Sequence, residues 1–256
     1  MNREELGKVH RELPLLLELR DSDSGLTQKE IGIQLDHPKS TVHRKIRHLE
    51  DMDLVRKSGS GYELTSLGSL VTDELEDCLL TVKTAAEREE FLDIVEDSDL
   101  RLEDLRDADV TRATEANPFL PRIRLAEVAR DAEEARVLAG RMTPGGFEVG
   151  RTGIRDGTMN VELVIDSDVL DSFDVVGWYG EEVKQDLEDD GLEVWVHDDV
   201  RYRLGVLDGK LCLGAEDENG MPNALLETTD DEAVGWAHDV FEEHRQESDR
   251  LTVSDV

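Results

Sequence analysis

The sequence predicts an α/β protein overall, in three parts. A small N-terminal domain of helices closes on a β-hairpin, a helical connector follows, and a larger C-terminal domain is mixed α/β. Three observations predict this. Apolar residues recur at helical spacing through residues 5–52 and then give way to two short β segments around a Gly-Ser tip. A second helical stripe occupies 69–95. From about residue 110, strand-like runs alternate with amphipathic helices, the pattern of a mixed α/β domain. The expected boundaries are therefore 1–68, 69–95 and 96–256.

Taken in order, residues 5–20 give a helix whose apolar face is Leu6, Val9, Leu13, Leu16, Leu17 and Leu19. Pro14 inside it either kinks the helix or marks its start. "DSDSG" (21–25) is a loop. "LTQKEIGIQL" opens on a capping box, Thr27-x-x-Glu30, ahead of Ile31 and Leu35. After the short turn "DHP" (36–38), a second helix runs from Pro38 to about Met52, with Val42, Ile46 and Leu49 at i, i+4, i+7. "LVRKSGSGYELT" (54–65) reads as the hairpin. In 69–95, the stripe Val71, Leu75, Leu79, Val82 and Ala86 suits either packing on its own domain or a dimer-forming helix. "EDSDLRLEDLRDAD" (96–109) is a linker or the first turns of the next domain. Candidate strands follow at 109–114, 135–141, 158–165, 192–197, 201–207, 210–215 and 224–228, with candidate helices at 120–132, 167–174 and 179–190. Asp208-Gly209 signals a tight hairpin and Asn219-Gly220 a second turn. A final helix, about 230–251, opens on Thr229-x-x-Glu232 and presents Ala233, Trp236, Val240, Phe241 and His244 on one face.

Composition narrows the function. The chain carries 62 acids against 29 bases, a formal charge of −33, and its bases are 21 Arg and only 8 Lys. Such acidity on a patterned, Lys-poor chain resembles proteins of salt-accumulating archaea, where carboxylates keep a surface hydrated under strong screening. The plainer alternative is an acidic domain that repels nucleic acid. No run approaches 18 apolar residues and the N-terminus lacks an apolar signal core, so no membrane association and a cytoplasmic location are expected. Cys78 and Cys212 are too few for a disulfide framework or a zinc site, and His238 and His244 have no ligand spacing around them. There is no GxGxxG, P-loop or nucleophile elbow, so neither an enzyme nor a cofactor or metal is expected.

One stretch breaks the acidity. "HPKSTVHRKIRHL" (37–49) holds no Asp or Glu, four bases and three of the seven His. At 100° per residue, Val42, Ile46 and Leu49 fall on one side, and Ser40, Arg44 and Arg47 on the other. Thr41, His43 and His48 flank the polar side, and Lys39 and Lys45 sit on its edges. A helix entering the DNA major groove needs this division. Arg reads guanine bidentately, Ser and Thr reach bases or phosphates, and Lys neutralises phosphate. Arg56 and Lys57, with Ser58 and Ser60, sit where the hairpin would meet the backbone or minor groove. The candidate DNA-binding set is thus Lys39, Ser40, Thr41, His43, Arg44, Lys45, Arg47, Arg56 and Lys57. Residues 26–68 carry a net +1 and the rest of the chain −34. The plain alternative is a solvated basic helix face.

The segment "LTQKEIGIQLDHPKSTVHRKIRHLEDMDLVRKSGSGYELTSLG" resembles the winged helix-turn-helix transcription regulators of archaea and bacteria, over about residues 10–70. It has the scaffold helix, a recognition helix of the S-x-x-T-V-x-x-x-[LI]-x-x-L type and an entry to the wing. It departs from that pattern at Asp36, His37 and Pro38, and in "DLV" (53–55) where "GLV" is usual. Residues 96–256, with "VWVHDDVRYRLGVLDGKLCLG" and "DDEAVGWAHDVFEEHRQESD", are similar to the C-terminal domain of TrmB-like and methanogenesis-regulator proteins. The resemblance implies a transcription regulator of double-stranded DNA, a homodimer, with an effector-sensing or dimerising domain that takes a small molecule. The other reading is a non-DNA interaction module with a ligand-binding or assembly domain. Because that domain is akin to phospholipase-D-like folds, a nuclease was weighed: its H-x-K is followed four residues later by Asp, whereas His43-Arg44-Lys45 is followed by Glu50. Phe173, Trp178, Tyr179, Trp195 and Tyr202 gather within thirty residues, and Arg151, Arg155, Arg201 and Arg203 would suit an anionic effector. Core packing and salt bridges are the plainer explanations.

Overall fold

The apolar periods of residues 5–65 resolve into the expected helices and hairpin. The computed structural model describes residues 3–22, 24–141, 151–170, 187, 191–217 and 220–253, and the chain divides into two units, Met1–Lys83 and Thr84–Val256. The first unit is a winged-helix arrangement. Its elements are α1 (Arg3–Arg20), α2 (Gln28–Gln34), α3 (Lys39–Asp51) and the antiparallel hairpin β1 (Val55–Ser58) and β2 (Gly61–Leu64), followed by α4 (Ser66–Glu87). Its core is one cluster in which Val9, Leu16 and Leu19 of α1 meet Ile31 of α2 and Val42, Ile46 and Leu49 of α3. Pro14 lies inside α1 with its ring exposed and the helix continues through it, so it neither starts nor ends the element. Leu6, assigned to the apolar face, is largely exposed.

The helical connector expected at 69–95 is shorter. α4 stops at Glu87, because the Arg88 backbone leaves the helical region (φ −126°, ψ 27°). There its buried guanidinium donates to the carbonyls of Leu105, Arg106 and Ala108. Its Nη1 also donates to the Glu87 carbonyl at 3.2 Å and lies 4.0 Å from the Glu87 carboxylate, so carbonyls take most of this buried cation's donors. A 3-10 turn (Glu89–Phe91) and α5 (Leu92–Glu96) take up the rest of the stretch expected as helix, and a second 3-10 turn (Leu102–Leu105) lies in the stretch read as a linker or the first turns of the next domain.

The second unit is a mixed sheet with helices on both faces. Its strands are β3 (Asp109–Arg112), β4 (Glu134–Ala139), β5 (Asn160–Asp166), β6 (Leu192–His197), β7 (Arg203–Leu207), β8 (Lys210–Glu216), β9 (Pro222–Thr228) and β10 (Asp249–Arg250). Among the described residues the sheet order is β10-β6-β5-β4-β7-β8-β9-β3. β4, β5 and β6 are parallel, and the other neighbours are antiparallel. Period-two burial separates two cores. Leu138, Val164, Leu204, Leu213 and Leu226 face α7 (Asp231–Gln246), while Ala135, Leu163, Cys212 and Leu225 face α6 (Leu120–Arg130). Asp208 and Gly209 both have positive φ (47° and 76°), the tight two-residue hairpin expected between β7 and β8. The final helix differs from expectation. Its cap is Asp230, whose side chain accepts from the Glu232 and Ala233 amides, rather than Thr229, and it ends at Gln246 so that β10 can pair with β6. Apart from Leu187, the helix expected at 179–190 lies outside the described residues, as do Phe173, Trp178, Tyr179 and Asn219.

Candidate nucleic-acid interface

Local chemistry positions α3. The Thr27–Glu30 capping box is formed: Thr27 N–H donates to Glu30 Oε2 at 2.8 Å, and Glu30 N–H donates to Thr27 Oγ1 at 3.3 Å. The turn between α2 and α3 puts Asp36 at φ 52° and closes with His37 N–H donating to Gly32 O at 2.9 Å. Pro38 occupies the cap position of α3 with no side-chain bond, and its fixed φ of −59° preorganises the first turn instead. Val42, Ile46 and Leu49 are fully buried, so three successive turns lock the helix to the core. Lys39, Ser40, His43, Arg44 and Arg47 are exposed on the other side, and Thr41 is half-buried.

Lys45 differs from the reading that grouped it with them. Its ammonium lies 2.5 Å from Glu12 Oε2, and both side chains are largely covered, so it fastens α3 to α1. In the hairpin, Arg56 pairs across the strands with Glu63 (Nε to Oε1, 2.8 Å), while Lys57 is exposed. Hydrogen bonds from Ser58 and Arg56 hold the Glu63 carboxyl below the usual carboxylate range. Gly25 (φ 72°) lets the preceding loop lie against the hairpin, for a Cβ there would sit 2.7 Å from Tyr62 O. Leu26 then exchanges two backbone hydrogen bonds with Tyr62, at 3.0 and 2.9 Å, as an isolated antiparallel bridge beside the hairpin.

Two residues that composition and period did not single out tie these parts together. Gln28 Nε2 donates to Tyr62 Oη at 3.2 Å and lies 3.3 Å from His43 Nδ1. This polar bridge runs from hairpin to α2 to the outer face of α3, so it sets the hairpin's position against that face. Gln28 sits inside the capping box, and that motif was its only signal.

Elsewhere, the four arginines considered for an anion separate. Arg151 and Arg203 line a cavity in the second unit. Arg201 pairs with Asp199 at 2.8 Å, and Arg155 is exposed. Trp195 is buried in the core and Tyr202 packs edge-on against Trp236, so both are packing residues. His37-Pro38-Lys39 is a second H-x-K triplet, and Arg44 occupies the place where that chemistry needs Asp.

The model of the methanogenesis regulatory protein FilR1, middle domain, matches residues 118–247, half of the chain. The chain belongs to the FilR1 family. In this FilR1-family member the matched segment begins just before α6 and ends just after α7, so it contains most of the sheet. A second model, the HVO_A0261 N-terminal domain, matches residues 2–87, which is α1 to α4. No curated protein matches. Solved structures that match include TrmBL2, an archaeal chromatin protein, at 14% identity and TM-score 0.43 over 92% of both chains. NucT from Helicobacter pylori matches at 10% identity and TM-score 0.43, over 57% of this chain and 99% of its own. Nuc, a phospholipase D family member from Salmonella typhimurium, matches at 11% identity and TM-score 0.44, over 57% of this chain and 98% of its own. At these scores the likenesses decide nothing about activity.

Proposed function

We propose that this FilR1-family chain is a DNA-binding transcription regulator that sets α3 in the major groove of an operator and the β1–β2 hairpin against the flanking backbone. The observation that carries this reading is the outer face of α3. In a chain of −33, a helix locked by three buried residues presents Lys39, Ser40, His43, Arg44 and Arg47 outward with no acid between residues 37 and 49. Arg44 and Arg47 read guanine edges, Ser40, Thr41 and His43 reach bases or phosphates, and Lys39 and Lys57 neutralise phosphate. Lys45 and Arg56 enter the interface as ion-paired groups that support its shape. The second unit acts as an effector-sensing or dimerising domain rather than as an enzyme, and the protein works in the cytoplasm as a homodimer on a two-fold operator. The family match supports the regulatory part of this reading. Chromatin immunoprecipitation in the native host tests it. Discrete promoter peaks are expected for the native chain and lost in the Arg44→Ala/Arg47→Ala variant. Absence of discrete peaks with the native chain favours the non-DNA interaction module.

A further inference from the structure

Between α6 and the sheet lies a cavity of about 270 Å³, larger than the ~150 Å³ apolar cavity that takes up benzene. Its floor is the α6-facing side of the sheet, where Leu163, Gly205 and Cys212 present little or apolar surface, and its roof is the small-residue side of α6 at Ala126 and Ala129. The roof is pinned to the sheet by a bidentate bridge from Arg124 to the buried Glu227, at 2.7 and 2.9 Å.

The polar part of the wall is unlike the rest of the molecule. Among the described lining residues are four arginines, Arg122, Arg141, Arg151 and Arg203, and no carboxylate, although acids outnumber bases two to one in the chain. One carboxylate outside the wall, Glu216, serves two of them, with Arg203 Nε at 2.7 Å and Arg141 Nη1 at 3.3 Å. Burial, and then the nearby Arg122 and Arg141 charges, push the Arg203 guanidinium below its usual range despite Glu216. The cations are thus close enough to repel one another beside an apolar floor. A guanidinium fork matches a carboxylate or phosphate bidentately, and an anion there would relieve that repulsion.

We infer that this cavity binds an amphiphilic anion, with its carboxylate or phosphate head between Arg141 and Arg203 and its apolar tail over Gly205 and Cys212. This site is independent of what α3 recognises. The test is calorimetric titration of the full chain with octanoate, octyl phosphate, 1-octanol and acetate. At least one of the first two saturates a single site, and the tighter of them names the head group. 1-Octanol, without charge, and acetate, without a tail, bind at least about tenfold more weakly. Arg141→Gln/Arg203→Gln lowers amphiphile affinity by about tenfold or more. Gly205→Val narrows the floor and lowers binding while leaving the arginines; its added Cβ lies 3.0 Å from a Leu207 methyl, which must shift by a few tenths of an ångström, and a thermal melt of the variant checks that the fold is kept. The inference is overturned if neither amphiphile saturates, if 1-octanol binds as tightly, or if both variants bind unchanged.

Discussion

Arg44 and Lys45 are neighbours in sequence with opposite fates. Arg44 stands exposed, whereas Lys45 turns back to Glu12 on α1. A helical wheel separates Arg44 from Val42 and Ile46 because that division follows from 100° steps alone. It cannot find Glu12, whose proximity is a product of tertiary packing. Measured on whatever operator the promoter peaks define, Arg44→Ala should lower affinity by about tenfold or more, since a bidentate guanine contact is worth ~1–3 kcal/mol. Its thermal midpoint should hardly move, because its side chain is exposed. Lys45→Ala should do the reverse in kind, lowering the thermal midpoint more than Arg44→Ala does. Equal midpoints would remove the structural role given to Lys45. The two thiols divide in the same way. Cys78 is exposed, while burial pushes the Cys212 thiol up to about 12. One thiol per folded chain should therefore react with a disulfide reagent near neutral pH, and two after unfolding. The sign for stability follows. The unfolded Cys212 ionises from about pH 8.5, the folded one does not, and so its contribution is intact below that pH and is lost as pH rises toward 12.

At the scale of elements, period and cap are legible wherever the forces are local. Strands expected at 192–197, 201–207 and 210–215 appear as Leu192–His197, Arg203–Leu207 and Lys210–Glu216, because alternation reports which residues face a core. The order of the sheet is not local. β3 pairs with β9, its partner residues more than a hundred positions away, and no window of sequence contains both. The end of α4 is hidden for the same reason, since the carbonyls that take Arg88 come seventeen to twenty residues later. Asp230 and Thr229 give a sharp check on α7. Asp230→Ala should cost about 1 kcal/mol, the usual worth of a cap, whereas Thr229→Ala should be close to neutral in a denaturant melt. Along α4, Leu67, Leu70, Leu79 and Val82 are exposed, which suits the dimer proposed above. Leu70→Glu/Val82→Glu should shift the chain toward monomer in sedimentation equilibrium. A native chain that is monomeric at tens of micromolar would rule that dimer out.

For the whole molecule the governing quantity is charge. A folded chain at −33 repels itself and repels DNA, and both terms weaken as salt shortens the Debye length from about 10 Å at 0.1 M to about 3 Å at 1 M. The basic face of α3 and the hairpin works in the opposite sense, for its attraction to phosphate also weakens with salt. If all four exposed cations displaced counterions, Lys39 and Lys57 on phosphate and Arg44 and Arg47 in the groove, log affinity would fall against log KCl with a slope near −0.9 for each phosphate charge they neutralise. The remaining −34 adds a repulsion that salt relieves, and Glu50 and Asp51, exposed just beyond Leu49, sit where cations would be taken up rather than released. The slope per protomer should therefore be clearly shallower than these four cations predict, approaching zero or turning positive above about 1 M KCl, where screening has removed most of both terms. Titration of operator DNA from low to molar KCl reads this directly. A slope at the full four-contact value would mean that the acidic remainder of the chain has no influence on the interface, and that α3 and the hairpin meet DNA as an isolated basic patch.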